Sequence, residues 1–201
     1  MAALGLSVAA LSVLPTAPGL ASSFAGTIPS LGSNPALIAA NADAKPIVRG
    51  SKGNYTASVF VAATASRAWD VLTNYEAMAG VMPDIKEARV LNRHGNSVEL
   101  QQVYQAPYTF GQRIRATLSM RETPNRLLTY QLIQGNQIKL LKGSWSITPT
   151  TGGVMLRHQI QVDPVIPGFL KPAYYELSEA NLLQSMRILK RLIEDNNGIR
   201  S

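Results

Sequence analysis

The sequence predicts an α+β fold: one curved antiparallel sheet of about seven strands wrapped around a long C-terminal helix, with one or two short helices after the first strand. Three observations carry this. Short runs that alternate apolar and polar residues, the period of a half-buried strand, follow one another between Tyr55 and Val162. Turn signals separate them at Gly95-Asn96, Gly111, Pro124-Asn125, Gly135-Asn136 and Gly152-Gly153, so successive strands return antiparallel. After Pro172 the apolar period changes to that of a helix.

The elements follow in order. Tyr55, Ala57, Val59 and Val61 alternate with Thr56 and Ser58 in a strand ending near Ala62. Thr64 can cap a helix that places Ala68, Trp69, Leu72 and Tyr75 on one face. Gly80 and Pro83 stop this helical stretch or split it in two. Six further strands are expected at 86–93, 97–106, 112–121, 126–134, 138–148 and 153–162. Pro172 is tolerated in a first turn, and the helix it opens runs to about Asp195, roughly 36 Å at 1.5 Å per residue.

Alternation also assigns faces. Val154, Leu156, His158, Ile160 and Val162 point inward, as do Ile114, Ala116, Leu118 and Met120. Arg113, Arg115, Thr117, Ser119 and Arg121 point out. The other inward sets are Val98, Leu100, Gln102 and Tyr104, then Leu128, Tyr130 and Leu132, then Leu141, Gly143, Trp145 and Ile147. On the last helix the stripe reads Tyr175, Glu179, Leu182, Met186, Leu189 and Ile193. A sheet that curls around a single helix has more inner face than that helix covers, so a cavity is expected between them. Its candidate lining is Trp69, Tyr104, Leu118, Tyr130, Gly143, Trp145, His158, Tyr175, Glu179, Leu182 and Met186. The alternative is an interior filled by the same large side chains.

Composition narrows the chemistry. Two hundred and one residues make about one domain, and a 46% hydrophobic content suffices for a core. Cysteine is absent, which excludes disulfides, thiolate nucleophiles and cysteine-ligated metals. His94 and His158 are the two histidines and lie far apart in the chain, so neither a metal nor a cofactor is expected. No G-x-S-x-G elbow and no phosphate-cradling glycine loop occurs. All 19 Lys and Arg stand at or after Lys45, and Asp43 is the only acid before it. Residues 45–201 therefore carry a net charge of +8, which favours anionic surfaces. No strand interleaves basic residues with exposed stacking aromatics, so nucleic acid is not an expected partner.

Residues 1–44 read as an apolar, Ala/Pro-rich leader or flexible tail, and residues 45–201 as one folded body, the expected ligand-binding domain. Met1 to Leu14 is shorter than the ~20 residues that span a bilayer, but it matches the apolar part of an export signal without the basic residues that normally precede it. Export or membrane association is one reading and a flexible tail the other.

From about Gly53 to Asn196 the chain resembles the START-like helix-grip (SRPBCC) superfamily, including polyketide cyclase/dehydrase-like and coenzyme Q-binding START-domain proteins. The segments that carry the resemblance are Ala68-Trp69-Asp70-Val71-Leu72-Thr73-Asn74-Tyr75-Glu76, Met82-Pro83-Asp84-Ile85, Lys142-Gly143-Ser144-Trp145 and the Pro164 to Pro167 approach to the last helix. The resemblance implies a hydrophobic ligand, such as a quinone, lipid or polyketide, held between sheet and helix.

His158 and Glu179 are the ionisable pair that alternation places inward, beside the phenols of Tyr104 and Tyr130. They could anchor a ligand oxygen, move protons, or be satisfied by neighbouring backbone and rim groups. The first functional expectation is a non-enzymatic binder or carrier with no catalytic residue. The alternatives are an aromatase/cyclase-like enzyme and a peripheral-membrane protein that presents lipid. For the latter, Asp163 to Lys171 would form an apolar lip.

Overall fold

A computed structural model describes residues 44–105 and 113–195. Among these, eight strands build one antiparallel sheet: β1 (Ile47–Ser51), β2 (Asn54–Val61), β3 (Ile85–His94), β4 (Ser97–Tyr104), β5 (Ile114–Thr123), β6 (Leu127–Gly135), β7 (Ile138–Thr150) and β8 (Gly153–Pro164). Their spatial order is β1-β2-β8-β7-β6-β5-β4-β3. From β3 to β8 consecutive strands are antiparallel neighbours, and β2 pairs with β8. Helix α1 (Ala65–Thr73) and a 3-10 turn (Ala77–Gly80) follow β2, and the long helix α2 (Lys171–Glu194) closes the fold.

Each of the seven expected strands is present within two residues of its expected bounds, and β1 is an addition. A tight hairpin produces it, with Lys52 and Gly53 both in the left-handed region at φ 52° and 84°. Four of the five β1 residues are exposed, so no apolar alternation marks the strand. The start of α1 is as expected: the Thr64 hydroxyl accepts from the Arg67 backbone N–H at 3.2 Å. Of the expected leader, residues 1–43 lie outside the described residues, as does the Gly111 turn.

The inward sets of β4 to β8 are buried or partly buried as alternation requires. Thr117 keeps its outward phase and is nonetheless buried. It shares an outer-face depression with Gln101, Arg113 and Arg115, and its pairing with Gln101 on β4 is in unbroken register, while the β5–β6 register slips beside it between Thr117 and Leu118. No helix among the described residues is long and apolar enough to cross a membrane.

Candidate functional site

Helix α2 packs chiefly on β1, β2 and α1. Leu182, Met186, Leu189 and Ile193 join Val59, Val61 and Leu156 in one apolar cluster there. The inner faces of β4 to β7 form a second cluster around Leu100, Leu118, Leu128 and Leu141. Trp69, Trp145 and Ile160 touch both clusters. Between them lies a cavity of about 240 Å³. Leu118, Met120, Leu128 and Leu141 form its sheet wall, with Leu72, Met78 and Met82 opposite. Helix α2 contributes Tyr174, Ser178, Asn181, Leu182 and Ser185.

A few polar groups interrupt this lining. His158 is 7% exposed, and Trp145 stacks on its ring at 3.8 Å with an interplanar angle of 5°. Its Nε2 shares a hydrogen bond with the Tyr130 hydroxyl at 2.8 Å. Its Nδ1 is buried without a partner among the described residues. Burial pushes the imidazole down to about 3, so the ring is neutral at physiological pH. The phenols shift the opposite way for the same reason: Tyr104 and Tyr130 rise, and Tyr174 rises to about 12. The Tyr104 hydroxyl donates to Gln102 Oε1.

Asp84 lines the end of the cavity where α2 begins, together with Tyr104 and Tyr174. Burial pushes its carboxyl up, opposed by a bond from its own backbone N–H and by nearby Lys86. At the other end Tyr75 donates to Glu122 Oε1 at 2.6 Å, and Arg93 donates to Glu122 Oε2 at 2.9 Å. This buried carboxylate thus has a phenol and a guanidinium to satisfy it.

Residues 52–194 match the family described as polyketide cyclase/dehydrase and lipid transport. The chain belongs to that family. Its cavity is thus placed in a family whose description joins ring-closing chemistry to lipid transport. No curated protein matches the chain significantly in sequence. Among solved structures, a STAR-related lipid transfer protein from Xanthomonas axonopodis is 17% identical with a TM-score of 0.60, covering 76% of this chain and 94% of that one. An aromatase/cyclase from a Streptomyces species is 15% identical with a TM-score of 0.55, covering 78% and 99%. A START superfamily protein from Mycobacterium smegmatis is 22% identical with a TM-score of 0.52, covering 66% and 94%. At these identities the likeness is one of fold, and the helix-grip architecture is common to them.

Within this family fold, Tyr104, Leu118, Tyr130, Trp145, His158 and Leu182 line the cavity. Five of the expected residues do not. Met186 is fully buried in the cluster beneath α2, and Trp69 wedges between the two clusters. Gly143 lies under Tyr130, where an added Cβ would come within 2.5 Å of the phenol oxygen and 2.2 Å of the Gln159 carbonyl oxygen. Its missing side chain is what lets the Tyr130 ring cross β7 toward His158.

Tyr175 and Glu179 are corrections. The 3.6-residue turn carries the inner stripe of α2 through Tyr174 and Ser178, leaving Tyr175 half-buried at the side and Glu179 exposed. The expected His158–Glu179 pair is therefore absent. Sequence reasoning missed Asp84, which stands in a non-periodic connection, and Tyr174, which only the true helical phase separates from Tyr175.

Proposed function

We propose that the chain binds and carries a hydrophobic small molecule, a quinone, lipid or polyketide-like compound, in the cavity beneath α2. The apolar hollow of about 240 Å³, lined by polar groups at a few points, carries the reading. A cavity of ~150 Å³ suffices for benzene, so this one suits a compound of about two rings or a folded chain segment. Burial of apolar ligand surface at ~25 cal/mol per Å² supplies the affinity, and His158, Tyr104 and Tyr130 fix orientation.

The test is mass spectrometry of apolar material extracted from the natively purified full chain. The expected result is one retained species, lost in Ser185→Phe, whose ring would project from α2 into the hollow while thermal stability holds. Absence of any such species, together with no uptake of added apolar compounds, would sink the reading.

The Tyr130–His158 bond favours a second reading, an aromatase/cyclase-like enzyme. Against it, an imidazole with a pKa of about 3 is a weak base at neutral pH, and Glu179 is not there to assist. His158→Phe separates the two: lost turnover with ligand retained supports catalysis, whereas weakened retention without turnover supports carriage.

Exposed Val165 and Phe169, at 48% and 81%, support contact of the segment before α2 with a membrane during loading. Binding to vesicles containing anionic lipid is expected to fall in Phe169→Ser and at high salt. Equal binding by wild type and variant would remove membrane contact from the proposal.

A further inference from the structure

The charge of the chain and the charge of its cavity differ in sign. Nineteen Lys and Arg give the protein a net charge of +7, yet none of those among the described residues lines the cavity. Of the 19, only Arg200 lies outside the described residues. Asp84 is the one acidic side chain among the described lining residues. It has no ion-pair partner among the described residues, and the nearby Lys86 Nζ instead donates to the Pro83 carbonyl oxygen at 3.0 Å. The remaining polar groups of the described lining are phenols, hydroxyls, amides, an indole and an imidazole, of which His158 Nδ1 lacks a partner among the described residues.

A ligand carboxylate or phosphate would enter this space without a cation to meet it. Beside Asp84 it would suffer like-charge repulsion or force a proton onto one of the two acids, and both outcomes cost affinity. A hydroxyl-bearing ligand meets the opposite situation, because its O–H can donate to Asp84 while the apolar walls take its rings. We infer that the cavity selects an uncharged, hydroxyl-bearing hydrophobic molecule, with Asp84 accepting from that hydroxyl, and that it rejects carboxylate ligands of the same size and shape. This rests on the cavity being a ligand site.

Three two-ring probes of nearly equal size separate the possibilities: 2-naphthol, 2-methoxynaphthalene and 2-naphthoate. Calorimetric titration of the full chain at neutral pH and about 0.15 M salt screens non-specific attraction to its basic surface. The expected order is 2-naphthol, then 2-methoxynaphthalene, then 2-naphthoate, with at least a tenfold gap between first and last, or about 1.4 kcal/mol. In Asp84→Asn, which keeps the side-chain shape, naphthoate should gain and that gap should close to within about threefold. Naphthoate binding as tightly as naphthol to the wild type would overturn the inference while leaving ligand binding in place. A preference for naphthol that Asp84→Asn leaves unchanged would overturn the role of Asp84. If none of the three probes binds, the cavity is not a ligand site, and the inference falls with the function on which it rests.

Discussion

His158 is neutral because it is buried, and that state links its ionisation to folding. Its folded pKa of about 3 lies below the ordinary value of 6.5. Between those values the unfolded chain binds a proton that the folded chain refuses. Its stabilising contribution is thus complete above about pH 6.5 and declines as pH falls toward 3, by about 1.4 kcal/mol per pH unit. Urea unfolding at pH 7 and pH 5 should show this loss in the wild type, and the difference should shrink in His158→Phe, where no imidazole remains to be charged. An equal loss in both proteins would mean that other groups set the acid limit. The inward phase of His158 is readable from its neighbours Leu156 and Ile160, but its bond to Tyr130 depends on Gly143 across the sheet, which no local pattern reveals.

Strands were more legible than the helix. In β5 a period of two identifies Ile114, Ala116, Leu118 and Met120 as inward, and the same phase continues to Glu122, which is indeed buried. The residue type conceals it, because a glutamate at a strand end reads as solvated until Tyr75 and Arg93 are brought to it. In α2 the apolar stripe is clear from Leu182 onward, whereas the adjacent Tyr174 and Tyr175 are the same residue in a row, so type alone cannot choose between them. Side-chain capping across elements was not legible. Arg67 on α1 donates to the carbonyl oxygens of Leu192 and Asp195 at 3.0 Å and of Ile193 at 3.3 Å, covering the negative end of α2. Arg67→Ala should lower stability by about 1–3 kcal/mol in denaturant titration while the cavity ligand is still retained. Lost retention at full stability would point instead to a role in the site.

For the molecule as a whole, the antiparallel meander and the terminal helix could be anticipated from the order of periodic runs, while the chemistry of the cavity could not. Its polar end is assembled from Asp84 in a connection, the last residue of β4 and the first turn of α2, three places that meet only when the sheet curls. The attachment of α2 is also uneven along its length. Near its last turns, besides Arg67, Lys190 donates to the Phe60 carbonyl oxygen at 3.0 Å and Glu194 accepts from the Ala62 backbone N–H at 2.9 Å. At its start there are a half-exposed Lys171–Asp163 pair and one bond from Tyr55 to the Tyr175 carbonyl oxygen. A long lever fixed at its far end and loosely latched near the guest swings most where it is latched. Deuterium should therefore replace amide protons soonest in the opening turns of this helix, and cargo should come and go on that side.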